Sequence, residues 1–280
     1  MIPPIANRFV AGESPAEALD HARQANRDGL KVILNLLGEH YHERGPADED
    51  TTTYLDLLDD IDGSGLDACV SVKPSQIGLD VGDGVFEENL GRIVERAAER
   101  DQFVWVDIED ATTTDVTLDA FERYAREYEG RVGVALQANL KRSHDDIERL
   151  ADVPGKVRLV KGAYDEDPDI SWKDKSEVNR SYRELLEYMF EHFDDGDVAV
   201  GSHDPEMLEY AQELHEEHGT EFEIQMLMGV REDAQRRLAE EGYEVWQYAP
   251  YGPKWFSYFY RRVRERKENL QFALRAVLGR

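Results

Sequence analysis

Residues 86–110 read "FEENLGRIVERAAERDQFVWVDIED", and the two halves carry different patterns. In the first, Leu90, Ile93, Val94 and Ala97 recur at i, i+3, i+4 and i+7, an apolar stripe down one face of a helix. In the second, "FVWVDIED" (103–110) is rich in Val, Ile and aromatics, as a buried parallel strand is, and turns acidic at its end. The pattern recurs in both directions. Upstream lie "KVILNLLGE" (31–39) and "ACVSVKP" (68–74). Downstream lie "RVGVALQAN" (131–139), "VRLVKGAY" (157–164), "DVAVGSHD" (197–204), "EFEIQMLMG" (221–229) and "YEVWQYAPYG" (243–252). Amphipathic segments separate most of them, such as 181–193 and 205–219, the latter with a helix stop at Gly219. Strand and helix alternating about eight times predict a (β/α)8 TIM-type barrel, with an open doubly wound sheet as the alternative. With no fixed-length repeat, low-complexity tract or linker, residues 1–280 read as a single α/β domain.

Composition narrows the setting. Hydrophobic residues make up 41%, enough for a core. There is no apolar run of about 18 residues to span a membrane. The start, "MIPPIANRFVAGESP", lacks the basic-then-apolar order of a signal peptide. One cysteine, Cys69, cannot close an internal disulfide, so the chain reads as intracellular. Asp and Glu number 60 against 33 Lys and Arg, for a net charge of −27. Such a shell repels nucleic acid and, at low salt, anionic lipid. It is the surface expected of a protein adapted to high salt. Only nine residues are lysine, and Lys73, Lys161 and Lys175 fall in the stretches that carry chemistry.

Polar residues gather at the C-terminal ends of the runs: Glu39, Lys73, Asp107, Gln137, Lys161 with Tyr164, His203, Gln225 and Tyr248. In a barrel that rim builds the active site. Lys73 and Asp107 end neighbouring strands. A structural ion pair would account for them equally well, as would a Schiff-base lysine, for which Lys161 also qualifies. Arg158 sits in a run otherwise made of Val and Leu. Burying it unpaired would cost several kcal/mol, so it requires an electron-rich partner. His203 has no His or Cys partner at metal-ligand spacing, and no metal is expected. The usual nucleotide and hydrolase signatures are absent. After the last run comes "YAPYGPKWFSYFYRRVRERKENL" (248–270). A helix here puts Tyr258, Arg261, Arg262 and Glu265 on one face and Phe256, Phe259, Tyr260 and Val263 on the other. Periodicity alone assigns the charged face to water. Adjacent arginines, oriented by Glu265, would equally offer forked donors to a carboxylate.

Taken in order, "NLLGE", "SVKPSQIG", "VDIED", "ALQANLKRS", "RLVKGAY", "GSHD", "EIQMLMG" and the double-arginine helix resemble the proline dehydrogenase family across nearly the whole chain. The resemblance implies a flavin barrel with FAD as cofactor. It would oxidise L-proline to Δ1-pyrroline-5-carboxylate, the first step of proline catabolism. A hydride passes from ring C5 to flavin N5, and electrons go on to a membrane quinone. It also implies a cytoplasmic, short, single-activity form without the aldehyde dehydrogenase domain of bifunctional relatives. Transient peripheral contact with the inner face of the membrane and the oligomeric state are left open.

Residue by residue, the resemblance puts Arg158 beside flavin N5 and the backbone of Val160 and Gly162 against the cofactor. Gln137, Lys175, Ser202 and His203 would line the flavin, with Gln225 near them. Arg261 and Arg262 would grip the substrate carboxylate, with Glu265 in support. Lys73 and Asp107 would lie below the ring, and Leu159, Tyr164, Tyr248 and Tyr258 around it. Glu39 would pair with an arginine of the last helix and close the site. Two positions depart from the family pattern. Asn35 stands where an acidic residue is common. Asp165 stands where larger relatives have Trp, which bears on how the flavin's far side is packed. A methylenetetrahydrofolate reductase-type flavin barrel, a class I aldolase and a non-catalytic amino-acid binder are the rival readings. The double arginine with Glu265 argues against the first.

Overall fold

The structure, a computed structural model, describes residues 7–260. Strands β1 (Lys31–Leu36), β2 (Ala68–Val72), β3 (Val104–Val106), β4 (Val132–Gln137), β5 (Lys156–Val160), β6 (Val198–Gly201), β7 (Phe222–Leu227) and β8 (Glu244–Tyr251) run parallel in chain order. The sheet closes where β1 pairs with β8, Lys31 to Leu36 aligning with Trp246 to Tyr251. Closure excludes the open sheet and leaves the (β/α)8 barrel. The helices α1 (Pro15–Arg27), α2 (Arg44–Ser64), α3 (Asp83–Glu99), α4 (Thr114–Glu127), α5 (Ser143–Leu150), α6 (Lys175–His192), α7 (Pro205–His218) and α8 (Glu232–Glu240) form the outer layer.

Alternation along each strand sorts the side chains. Val32 and Leu34 of β1, Val70 and Val72 of β2, and Val104 and Val106 of β3 face the helices and share one continuous core with Leu90, Ile93, Val94 and Ala97 of α3. The 86–110 stretch therefore folds as its periodicities require. Ile33, Cys69, Trp105 and Ala199 point inward and form a separate cluster inside the barrel. At its N-terminal end Lys31 pairs with Glu244 (2.7 Å) and Lys156 with Glu223 (2.5 Å). Gly219 ends α7 in the left-handed conformation at φ 79°, as its place in the sequence predicts.

Beyond β8 the backbone turns at Gly252 (φ 120°), and residues 255–260 begin a helix over the C-terminal mouth. Here one expectation is corrected. Tyr258 is buried against Phe9, Val10 and Leu37, while Phe256 and Tyr260 are 67% and 62% exposed. Periodicity gives two faces but not which one meets the protein. Within the described turn Tyr258 points to the barrel mouth and Phe259 is half-buried against Phe9 and Trp255. Among the described residues no helix is long and apolar enough to cross a membrane.

Candidate active site

Asp107 is the centre of the mouth. It follows β3, where its amide donates to the Val72 carbonyl (2.9 Å), and its inward carboxylate meets side chains carried by three other strands, β2, β5 and β8. Oδ1 accepts from Ser71 Oγ (2.6 Å) and from Arg158 Nη2 (2.5 Å). Oδ2 accepts from Lys73 Nζ (2.7 Å) and from the Tyr248 hydroxyl (2.6 Å). Burial works to raise the Asp107 pKa, but Lys73 and Arg158 hold it well below the ordinary carboxylate range. Burial would likewise lower the Lys73 pKa, yet the Asp107 charge leads a set of neighbours that raises it well above normal. Burial and Asp107 together raise the Tyr248 hydroxyl, which stays a protonated donor. The result is a charged, mostly buried cluster in which each carboxylate oxygen of Asp107 accepts two hydrogen bonds.

Arg158 has the partner its position demanded. Besides Asp107 it donates through Nη1 to Gln225 Oε1 (2.9 Å), and its guanidinium lies 4.9 Å from the Trp105 ring and 5.7 Å from that of Tyr248. Above this floor opens a cavity of about 840 Å³. It brings together every strand-end residue singled out from the sequence: Glu39, Lys73, Asp107, Gln137, Lys161, Tyr164, His203, Gln225 and Tyr248. Val160, Gly162 and Tyr258 line it too. Gln137 is fixed at both ends of its amide, Nε2 donating to the Glu109 carbonyl (2.8 Å) and Oε1 accepting from the Ala163 amide (3.4 Å). Lys161 is held by Asn179 and Asp204, both at 2.6 Å. His203 Nε2 accepts from the Leu227 amide (3.2 Å).

Three expected residues stand elsewhere. Leu159 is fully buried among the helix-facing side chains, because alternation turns it away from its inward neighbours Arg158 and Val160. Lys175 is exposed at the start of α6, outside the cavity lining, where its charge helps lower the Asp204 carboxyl against the cost of burial. The Ser202 hydroxyl accepts from the Asp204 amide (3.1 Å), a turn-forming bond before α7. Arg261, Arg262 and Glu265, and the arginine partner expected for Glu39, lie outside the described residues. Asn35 donates to the Ser71 carbonyl (2.9 Å), and Asp165 pairs with Lys173 (2.8 Å) at the exposed start of the loop after β5.

Some residues at or beside the site were not singled out from the sequence. Ser71 and Trp105 each stand two before a residue that was, Lys73 and Asp107, and the two-residue period was the available signal. Asn139 lies within "ALQANLKRS" but was given no role there. Its Oδ1 would lie 2.0 Å from a Cβ placed on Gly162, whose φ of 110° already favours glycine.

Fold and site together define a (β/α)8 barrel of the enzyme type, with an ion-paired floor and aromatic walls at the C-terminal mouth. The family model described as proline dehydrogenase matches residues 18–275, so the chain belongs to the proline dehydrogenase family. It is 36% identical over 282 residues to the proline dehydrogenase of Deinococcus radiodurans, covering 98% of this chain and 90% of that one. It is 33% identical to proline dehydrogenase 2 of Bacillus subtilis, covering 97% and 90%. Among solved structures, proline utilization A from Bdellovibrio bacteriovorus, inactivated by N-propargylglycine, superposes with a TM-score of 0.84 at 24% identity. That match covers 92% of this chain and 32% of the other, and it shows the barrel.

Proposed function

We propose that the chain oxidises L-proline to Δ1-pyrroline-5-carboxylate with FAD as the two-electron acceptor, and that a membrane quinone takes up the electrons. The observation that carries this reading is the convergence of Lys73, Arg158 and Tyr248 on Asp107 at the floor of the cavity. Family membership supports the substrate.

The residues present fit a flavin. The cavity volume lies within the roughly 300–1,000 Å³ typical of ligand sites. A Cβ on Gly201 would meet Val160 Cγ1 at 2.7 Å and the Leu159 carbonyl at 2.9 Å, so β6 leaves its inner surface bare. Asn139 Oδ1 is a buried acceptor without a partner among the described residues, at the turn where Gly162 lets the backbone pass. Arg158, Gln137, Lys161 and His203 would face the cofactor, and Arg158 would place positive charge where electron density accumulates. A bound flavin would supply the redox chemistry, and the protein's part is orientation and charge.

On the substrate side Tyr248 and Tyr164 form walls beside Lys73, and Tyr258 closes from the last helix. Burial first raises the Tyr164 pKa, which keeps its hydroxyl neutral. Holding the ring between these side chains supplies proximity, with the carboxylate proposed to meet Arg261 and Arg262 and with Glu39 and Glu265 in support. The aldolase alternative weakens at Lys73. A Schiff-base lysine needs a depressed pKa, and Asp107 acts in the opposite direction. We read residues 1–280 as one domain working in the cytoplasm.

An absorption spectrum followed by dye reduction tests this. The purified protein is expected to show flavin bands and to reduce a dye when L-proline is added. A colourless protein that gains no flavin bands with FAD would overturn the reading.

A further inference from the structure

A chain of hydrogen bonds crosses the barrel interior from its N-terminal end to the floor of the cavity. Lys156 donates to Glu223 Oε2 (2.5 Å), Gln225 Nε2 donates to Glu223 Oε1 (2.6 Å), and Arg158 Nη1 donates to Gln225 Oε1 (2.9 Å). Arg158 Nη2 completes it at Asp107. Lys156 and Arg158 are two apart on β5, Glu223 and Gln225 two apart on β7, and all four point inward. The strand between them makes this possible. β6 offers only Ala199 and Gly201 to the interior, registered against Arg158 and Glu223 and against Val160 and Gln225. With nothing larger between them, side chains of β5 and β7 meet across β6.

Glu223 is 2% exposed and its side chain touches neither the cavity nor Arg158 directly. Its effect is on the Gln225 amide. A carboxylate accepts and does not donate, so it takes the NH2 edge and leaves the carbonyl edge for the guanidinium. Turning the amide over would set oxygen against oxygen and donor against donor, two buried polar mismatches at once. Without Gln225, Arg158 would be tied by Asp107 alone and free to pivot between the Trp105 and Tyr248 rings. We propose that Glu223 is a positioning residue for Arg158. Through Gln225 it fixes which edge of the amide meets the guanidinium, and so holds Arg158 in one orientation at the cavity floor. This rests on the reading above, in which Arg158 faces the flavin.

The test is a set of flavin midpoint potentials, measured spectroelectrochemically on the FAD-loaded protein. Glu223→Gln is expected to make reduction of the flavin threefold to tenfold less favourable, tenfold being about 30 mV for a two-electron couple. Gln225→Met should do the same, and adding Glu223→Gln to it should cause no further change, because the path is already cut. A purely structural Glu223, needed only to pair with Lys156, predicts instead that the effects of Glu223→Gln and Gln225→Met add. Additive effects, or an unchanged potential in Glu223→Gln, would sink the proposal. Should Glu223→Gln fail to fold, Gln225→Met still decides it, because an unchanged potential there would mean that Arg158 needs no tie through Gln225. Arg158→Met separates the two levels. If it moves the potential and Gln225→Met does not, this inference alone falls. If it leaves the potential unchanged, the placement of Arg158 at the flavin falls with it.

Discussion

Asp107 shows how far single residues could be read. Its place at a strand end beside Lys73 was legible, and so was the need of Arg158 for an electron-rich partner. That one carboxylate serves both cations was not, because the partner choice depends on barrel closure bringing β2, β3, β5 and β8 to one point. Leu159 is the opposite case. It was read with its neighbours in "RLVKGAY", and the two-residue period of a strand puts it on the other face. Removing the charge at the centre should be costly. Asp107→Asn leaves Lys73 and Arg158 facing a neutral amide in a buried site, which should destabilise the fold by on the order of 3–5 kcal/mol at pH 7. The sign with pH follows from the depressed carboxyl. The stabilisation is fully present above the ordinary Asp pKa of about 3.9 and is lost as the pH falls toward the native value. Urea unfolding of the two proteins should therefore show a gap at pH 7 that narrows below about pH 4. A constant gap would mean that the lost stability is not electrostatic.

At the scale of elements, every strand run in the sequence became a strand, trimmed at its ends where the polar residues leave the ladder. "FVWVDIED" (103–110) keeps only Val104–Val106, since Asp107 onward turns into the mouth. The strand entrances carry charge of a different kind. Asp197 stands just before β6, its carbonyl accepting from the Val157 amide (2.8 Å), near Lys156 and Glu223. Burial pushes its carboxyl up to about 6, with Lys156 opposing and Asp194 and Glu223 adding to the rise. A raised acid favours the folded state below its unfolded pKa, and that contribution disappears as the pH rises through about 6. At pH 7 the ionised carboxylate is thus a burden. Asp197→Asn should stabilise the protein there by about 1 kcal/mol, after discounting for its partial exposure to solvent. The gain should fade toward pH 4, and activity should be unaffected because the residue lies at the end of the barrel away from the cavity. Thermal melts at the two pH values would measure it. A variant less stable than wild type at pH 7 would show that the Asp197 charge is needed by Lys156.

For the molecule as a whole, the decisive quantity is the imbalance of 60 acidic against 33 basic residues. Surface ion pairs use many of the cations. Arg142 meets Asp115, Arg149 meets Asp119 and Glu122, and Arg44 meets Asp48 and Glu88. Exposed pairs of this sort contribute about 0.2–1 kcal/mol each and weaken with salt, so on their own they would make the protein less stable as salt is added. Against them stands the net charge of −27, which no arrangement of the available cations can neutralise. Self-repulsion of that excess acts over a Debye length of about 10 Å at 0.1 M salt and only about 3 Å at 1 M. The buried pairs Lys73–Asp107, Arg158–Asp107 and Lys156–Glu223 are shielded from both effects. Relief of repulsion should therefore win. The melting temperature should rise from dilute buffer to molar KCl, by roughly 2–4 °C for each kcal/mol of repulsion removed. Retention of added FAD should improve in parallel. Differential scanning fluorimetry across a KCl series would read the first, and flavin fluorescence in the filtrate of a spin column the second. A melting temperature that falls with KCl would mean that the exposed arginine pairs, and not the acidic excess, set the salt response.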